Sequence, residues 1–284
     1  MNSTKYTFQC TGNKINENAL NFFHEYGFVV LADVLPENEI VKIKKEIINI
    51  SLFEKEHGIG FFYGANYDEN KTYTLQRIWN LLSKGKIFQE LIQMDFLLEW
   101  MDKIFDRDTI HDKYYLSSFL ANILFPSAPA QHLHIDTPFP EPLPPWVVKA
   151  NSIWVISEFN DKNGATEVVP RSHKIDRKPI RDSKLDMKNK IKVFAQEGSI
   201  ILTHGALWHN SGKNNSNEIR YGLLGSFAAS YVREISTEED ILRSMDRDIV
   251  KNIPDKLFRL LGGYHGIKDI HAFKKHYPRK IKSS

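Results

Sequence analysis

Gln131-His132-Leu133-His134-Ile135-Asp136 is the stretch whose reading decides the fold. On a β-strand, residues two apart point to one face, so His134 and Asp136 would present an imidazole and a carboxylate to a single point. A second imidazole from a distant strand, His209, completes a two-histidine, one-carboxylate set. Such a set holds Fe(II) from one side and leaves three positions open. His209 follows the strand-like Gly198-Ser199-Ile200-Ile201-Leu202, and Arg220 starts the next strand. A planar guanidinium there offers the two parallel donors that a dicarboxylate accepts. A lone His-x-Asp is more often structural; the ordered arrival of His209 and Arg220 reverses that balance.

Working outward, the 284 residues are 42% apolar and 12% aromatic. That is ample for a large core and excludes global disorder. No 18-residue apolar run exists, so no transmembrane helix is expected. The opening Met1 to Tyr6 lacks an apolar h-region and a small-residue cleavage site, so no secretory leader is expected. A single cysteine, Cys10, excludes an intrachain disulfide and points to a reducing cytoplasm. Net charge is +3, yet residues 268–284 alone hold six Lys/Arg and one Asp. With no nucleic-acid motif beside it, this basic tail reads as a solvated terminus. Neither a nucleic-acid nor a membrane partner is expected.

Glu17 to Tyr26 reads as a helix with Leu20, Phe22 and Phe23 on one side, stopped at Gly27. Phe28 to Leu31 follows as a short buried strand. Pro36 opens a second helix, with Ile40, Ile43, Ile47 and Ile50 at helical spacing. A third is predicted over Lys86 to Phe105, with Leu91, Met94, Leu98, Met101 and Phe105 as its apolar face. From Tyr114 the pattern changes. Tyr115 to Phe125, Val147 to Phe159, Ser199 to Thr203 and Ile219 to Ser230 are strand-like, with no helices between them. Such a series predicts a mainly β fold with flanking helices and a jelly-roll or barrel core. Ser236 with Glu239 forms a capping box, and Pro254 opens a last helix ending near Gly262. The expected layout is one domain over 1–284: a helical part at 16–110, a β-core at 114–231, helices at 236–263 and the tail.

The chain resembles the phytanoyl-CoA dioxygenase family of Fe(II)/2-oxoglutarate-dependent oxygenases. The segments that carry the resemblance are Gln131-x-x-His134-x-Asp136, the run from Asn163-Gly164-Ala165-Thr166 to Pro170-Arg171-Ser172-His173, and Leu207-Trp208-His209-Asn210-Ser211-Gly212 with Arg220. Tyr26-Gly27-Phe28-Val29-Val30 and Leu260-Leu261-Gly262 flank them, so it runs from about Asn16 to Gly263. It implies a double-stranded β-helix (jelly-roll, cupin-like) core. It also implies His134, Asp136 and His209 as catalytic iron ligands and Arg220 as partner of the distal carboxylate of 2-oxoglutarate. Thr166 and Gln131 match positions that hydrogen-bond the co-substrate. The implied reaction is oxidation by O2, most simply hydroxylation, of a C–H bond in a small organic molecule, with succinate and CO2 as co-products. Desaturation and ring formation are its variants. Related halogenases replace the carboxylate with a small residue, so Asp136 disfavours halogenation. Arg171 departs from the family, which has glycine there. A positive φ would strain arginine, so a slightly different turn is expected.

Three other histidines stay outside the triad. His132 is expected to line the cavity or hydrogen-bond a ligand, His173 to anchor a turn, and His204 matches a non-ligand position. The five prolines between Asp136 and Trp146 read equally as a pocket wall or lid and as a stiff connector. Gly58 to Gly64, with three aromatics, reads as an apolar cover or a buried anchor. Arg77, Trp79 and Asn80 match pocket positions. Two rival functions are a Zn(II) or Mn(II) jelly-roll hydrolase or isomerase, which needs neither Arg220 nor 2-oxoglutarate, and a non-catalytic binding protein. Acyl chains, amino-acid derivatives and natural-product intermediates are all compatible substrates.

Overall fold

Strand alternation organises the molecule. The computed structural model describes residues 5–10, 15–64, 73–106, 113–232 and 245–263. Its strands are β1 (Thr7–Gln9), β2 (Phe28–Ala32), β3 (Phe61–Tyr63), β4 (Leu75–Ile78), β5 (Tyr114–Leu124), β6 (Lys149–Val155), β7 (Thr166–Val168), β8 (Ile191–Lys192), β9 (Ile200–His204), β10 (His209–Ser211) and β11 (Arg220–Ala229). Eight form one sheet in the order β1-β2-β9-β6-β11-β5-β4-β3, and three form a second, β10-β7-β8. Pairing is antiparallel except between β1 and β2. This is the expected jelly roll.

On β6, β9 and β11 side chains point alternately to two sides. Ala150, Trp154, Ile200, Leu202, Leu223 and Phe227 join the core shared with the helices. Asn151, Ile153, Arg220, Leu224 and Ser226 instead face a cavity. A one-residue slip in register would exchange the two sets. The helices on the apolar side are α1 (Glu17–Tyr26), α2 (Glu37–Glu56), α3 (Lys86–Ile92), α4 (Asp95–Ile104), α5 (Arg247–Asn252) and α6 (Asp255–Leu260). α2 buries Ile40, Ile43 and Ile47 as its spacing requires. Among the described residues no helix is long and apolar enough to cross a membrane.

Two local expectations are corrected. The third helix is two, broken at Gln93 and Met94, where Met94 turns extended (ψ 127°). The apolar stripe continues across the break, so periodicity alone conceals it. Lys256 fastens the break, its Nζ donating to Gln93 O at 2.7 Å and to Asp95 at 2.5 Å. Secondly, Arg171 does take the left-handed conformation, with φ 69°. The turn is therefore unaltered, and side-chain contacts offset the strain: Arg171 pairs with Glu25 at 2.8 Å and lies 4.7 Å from the Tyr26 ring. The Ser236–Glu239 capping box and the basic tail fall outside the described residues.

Gly27 ends α1 with φ 83°, its N–H donating to Phe23 O at 2.7 Å. A Cβ there would lie 2.5 Å from His173 Nδ1 and 2.9 Å from Leu207. Gly27→Ala is therefore expected to cost at least about 1–2 kcal/mol from the left-handed backbone alone, read as a lower urea midpoint at unchanged slope.

Candidate metal centre

The segment 131–136 is extended but forms no strand; His134 makes a single antiparallel bridge with His209. His134 N donates to His209 O and His209 N to His134 O, both at 3.0 Å. On one side of the bridge Gln131 N donates to Ser211 O at 2.9 Å; on the other, Asp136 N donates to Gly205 O at 2.8 Å. The ligand segment is thus laced residue by residue to the chain around β10. The prolines after Asp136 lack the N–H groups that a longer ladder needs. They lead away from the metal cavity, and Leu143 to Val147 instead wall a second cavity of about 370 Å³.

The bridge brings His134, Asp136 and His209 together with one ligand atom from each, all within 4.8 Å of one another. His209 Nε2 lies 3.3 Å from Asp136 Oδ2, and His134 Nε2 lies 3.8 Å from Oδ1. His134 Nδ1 sits 2.8 Å from His132 O, and His209 Nδ1 2.9 Å from Leu207 O. Each Nδ1–H donating to its carbonyl leaves the Nε2 lone pairs for a cation, the usual orientation of metal-binding imidazoles. Burial opposes ionisation of Asp136, but the adjoining His209 outweighs it and holds the carboxyl well below its ordinary range. Burial likewise opposes charge on His209, and Asp136 raises it overall. His134 is held low by burial and by His209. A divalent ion would take the place of the proton that His209 and Asp136 otherwise share. Two nitrogens and one oxygen fit such an ion.

Arg220 faces the same cavity, of about 180 Å³. It is buried against the Phe159 ring at 4.3 Å, donates to Gly164 O, and leaves Nε without a partner. Burial pushes its pKa down to about 9, and among the described residues no acidic group offsets this. Thr166 and Gln131 line the cavity too. Gln131 Oε1 accepts from Ser211 N at 3.0 Å, so its NH2 is the group it can offer. Gly164 reaches Arg220 through its positive φ of 82°; a Cβ would meet Gly212 O at 2.8 Å.

Arg77 and Trp79 line the cavity with buried, unpartnered Nε and Nε1, whereas Asn80 is not among the lining residues. Phe61 and Tyr63 contact these two, with Phe61 edge-on to Trp79 at 6.1 Å and Tyr63 5.5 Å from Arg77. Of the two expectations for His132, lining the cavity is corrected, because its side chain turns outward to Arg181 and Asp182; the hydrogen bond to His134 is present, but through its carbonyl. Sequence reasoning missed Ser118, Asn122, Asn151 and Ser211, all in the lining. Ser211 shares a face with His209 by two-residue spacing, and Asn151 interrupts an apolar strand; those were the available signals.

A double-stranded β-helix with a two-histidine, one-carboxylate cluster facing a buried arginine is the frame these observations define. The chain belongs to the phytanoyl-CoA dioxygenase (PhyH) family, whose family model matches residues 23–222. It is 26% identical over 264 residues to the dioxygenase cdmA of Talaromyces verruculosus, covering 88% of this chain and 84% of that one. A 30% identical match to the uncharacterized protein Rv1501 of Mycobacterium tuberculosis covers 44% of each, less than half that relative's length. Among solved structures, HygX of Streptomyces hygroscopicus, with nickel, 2-oxoglutarate and hygromycin B bound, superposes with a TM-score of 0.59. Its identity is 14%, over 78% of this chain and 90% of that one.

His173 and His204 lie apart from the triad, their ring centroids 5.0 Å from each other, on the second cavity with His24. His173 anchors its turn, as expected, through Nε2 to His24 O at 3.1 Å. His204 is pushed down to about 3 by burial and then by the charges of His173 and His24. A folded pKa below the unfolded value means that the unfolded chain binds the proton more readily. Stability is then expected to fall as pH drops below about 6.5 and on towards 3, by at most about 1.4 kcal/mol per pH unit for this one site. Urea titrations between pH 6.5 and 5 should show a shallower loss for His204→Gln than for the unaltered protein.

Proposed function

We propose that the protein is a non-haem Fe(II)/2-oxoglutarate-dependent dioxygenase that oxidises, most simply hydroxylates, a C–H bond of a small organic molecule. The observation that carries this reading is a single cavity with the His134–Asp136–His209 cluster in its lining and a buried Arg220 guanidinium, without an acidic partner among the described residues, facing it. His134, Asp136 and His209 would hold Fe(II). Arg220 would receive the distal carboxylate of 2-oxoglutarate, with Thr166 and Gln131 as hydrogen-bonding neighbours. A buried cation without a counterion is costly, and a dicarboxylate removes that cost. Arg77 lines the same cavity and is a second cation there. A Zn(II) hydrolase would have no use for Arg220.

When bound, Fe(II) with 2-oxoglutarate and O2 supplies the oxidising power, and succinate and CO2 leave as co-products. The protein's own part is positional. The Nδ1 contacts aim two imidazoles, Phe159 and Gly164 hold Arg220, and Leu120, Ile153 and Leu224 add apolar wall to the cavity. The exposed aromatics Phe61 and Tyr63 pack on Trp79 and Arg77 at the edge of this lining.

An anaerobic visible spectrum tests the reading: a weak charge-transfer band is expected only with both Fe(II) and 2-oxoglutarate present. No band despite verified iron binding would favour the zinc-type alternative. Asp136→Ala should weaken iron binding and abolish coupled oxidation, with the fold nearly intact. Arg220→Ala should keep iron but raise the 2-oxoglutarate dissociation constant at least about 30-fold, from a loss of about 2 kcal/mol or more; unchanged co-substrate affinity would overturn its role.

A further inference from the structure

Behind Asp136 a row of polar residues crosses four adjacent strands. Register pairs Ser118 with Ser226, Ser226 with Asn151, and Asn151 with Thr203, on β5, β11, β6 and β9. All four are buried, Asn151 at 1% and Thr203 at 0% exposure. Buried polar side chains in the middle of a sheet need a reason, because each must be desolvated and then satisfied. The reason is visible in the hydrogen bonds. Asn151 Nδ2 donates to Asp136 Oδ2 at 2.7 Å and lies 3.3 Å from Thr203 Oγ1. Ser226 Oγ donates to Asn151 Oδ1 at 2.7 Å. With its carbonyl engaged by Ser226, the amide is oriented one way, and its NH2 is aimed at the carboxylate.

We propose that Asn151 is a positioning residue for the metal centre, holding Asp136 so that the carboxylate gives the metal one oxygen instead of two. The inference rests on the function proposed above. Oδ2 carries the Asn151 hydrogen bond along with its approach to His209, while Oδ1 lies on the His134 side. A carboxylate whose plane is fixed by that hydrogen bond is hindered from rotating into a two-oxygen chelate. Two-oxygen chelation would consume one of the three positions that a facial two-histidine, one-carboxylate site leaves open. Three are required: two for 2-oxoglutarate and one for O2. Ser226 and Thr203 act on the metal only through Asn151, and Ser118 extends the row one strand further.

The test compares Asn151→Ala and Ser226→Ala with Ile43→Ala, a core truncation in α2 remote from the site. Each is characterised by urea unfolding, by anaerobic Fe(II) titration, and by the visible band at saturating 2-oxoglutarate. Asn151→Ala is expected to raise the Fe(II) dissociation constant about tenfold or more, in line with outer-shell substitutions elsewhere, and to move the band maximum. Ser226→Ala should do the same to a smaller degree. Ile43→Ala should lose stability while both iron readouts stay put. If Asn151→Ala folds, binds Fe(II) within twofold of the unaltered protein and keeps its band, the positioning role is wrong. Should Asn151→Ala fail to fold, Ser226→Ala decides by the same criteria. Failure of the unaltered protein to bind Fe(II) is a separate result, which removes the proposed function itself.

Discussion

The reciprocal backbone hydrogen bonds between His134 and His209 are the constraint on which the site depends. They join two segments that belong to no common strand, and they do so at the two residues whose imidazoles must converge. Side-chain direction is inherited from that bridge. A shift of one residue would turn one imidazole away from the other, and no rotamer change could restore the cluster. The lacing at Gln131 and at Asp136 fixes the register from both sides, so the geometry does not rest on the side chains alone. Asp136 is held by the Gly205 carbonyl where a neighbouring strand would otherwise be needed.

Around that bridge the sheet divides its labour between faces. On the helix-facing side of β6, β9 and β11, Trp154, Ile200, Leu202, Leu223 and Phe227 are large and apolar and supply burial that stabilises the fold. The opposite face carries Arg220, Asn151, Thr203 and Ser226, groups whose desolvation works against folding. Function sits on the face that costs stability, while the apolar face offsets the cost. Arg220 is the extreme case. Its guanidinium rests on Phe159 and one carbonyl, and its Nε stays unpaired. Such a group is better explained by a ligand than by the fold.

Much of this was legible before any coordinates. Strand alternation announced the jelly roll, because period-two patterning survives wherever one face must be buried; the His-x-Asp pair pointed to the cluster even though its segment is held by a single bridge and is no strand. Gly27 and the isoleucines of α2 marked their helix correctly for the same kind of reason. What stayed hidden depended on partners distant in sequence. The break between α3 and α4 keeps the apolar stripe intact and is fastened by Lys256, some 160 residues later. Arg171 keeps a glycine's backbone because Glu25 and Tyr26 receive its side chain. His132 turned outward because segment 131–136 is not a regular strand, so two-residue spacing did not carry over.

Asn151 shows the limit of local reading most clearly. In the run Ala150-Asn151-Ser152-Ile153-Trp154 it is one small amide in an apolar strand, and nothing nearby in sequence says what it faces. Its meaning comes from three directions at once: Ser226 on one neighbouring strand, Thr203 on the other, and Asp136 in front. A buried polar network is stable only when every member is satisfied, and this one closes on the carboxylate of the His134–Asp136–His209 cluster. The polar row is therefore continuous with the site, and the sheet that carries it reaches the one carboxylate of the cluster through Asn151.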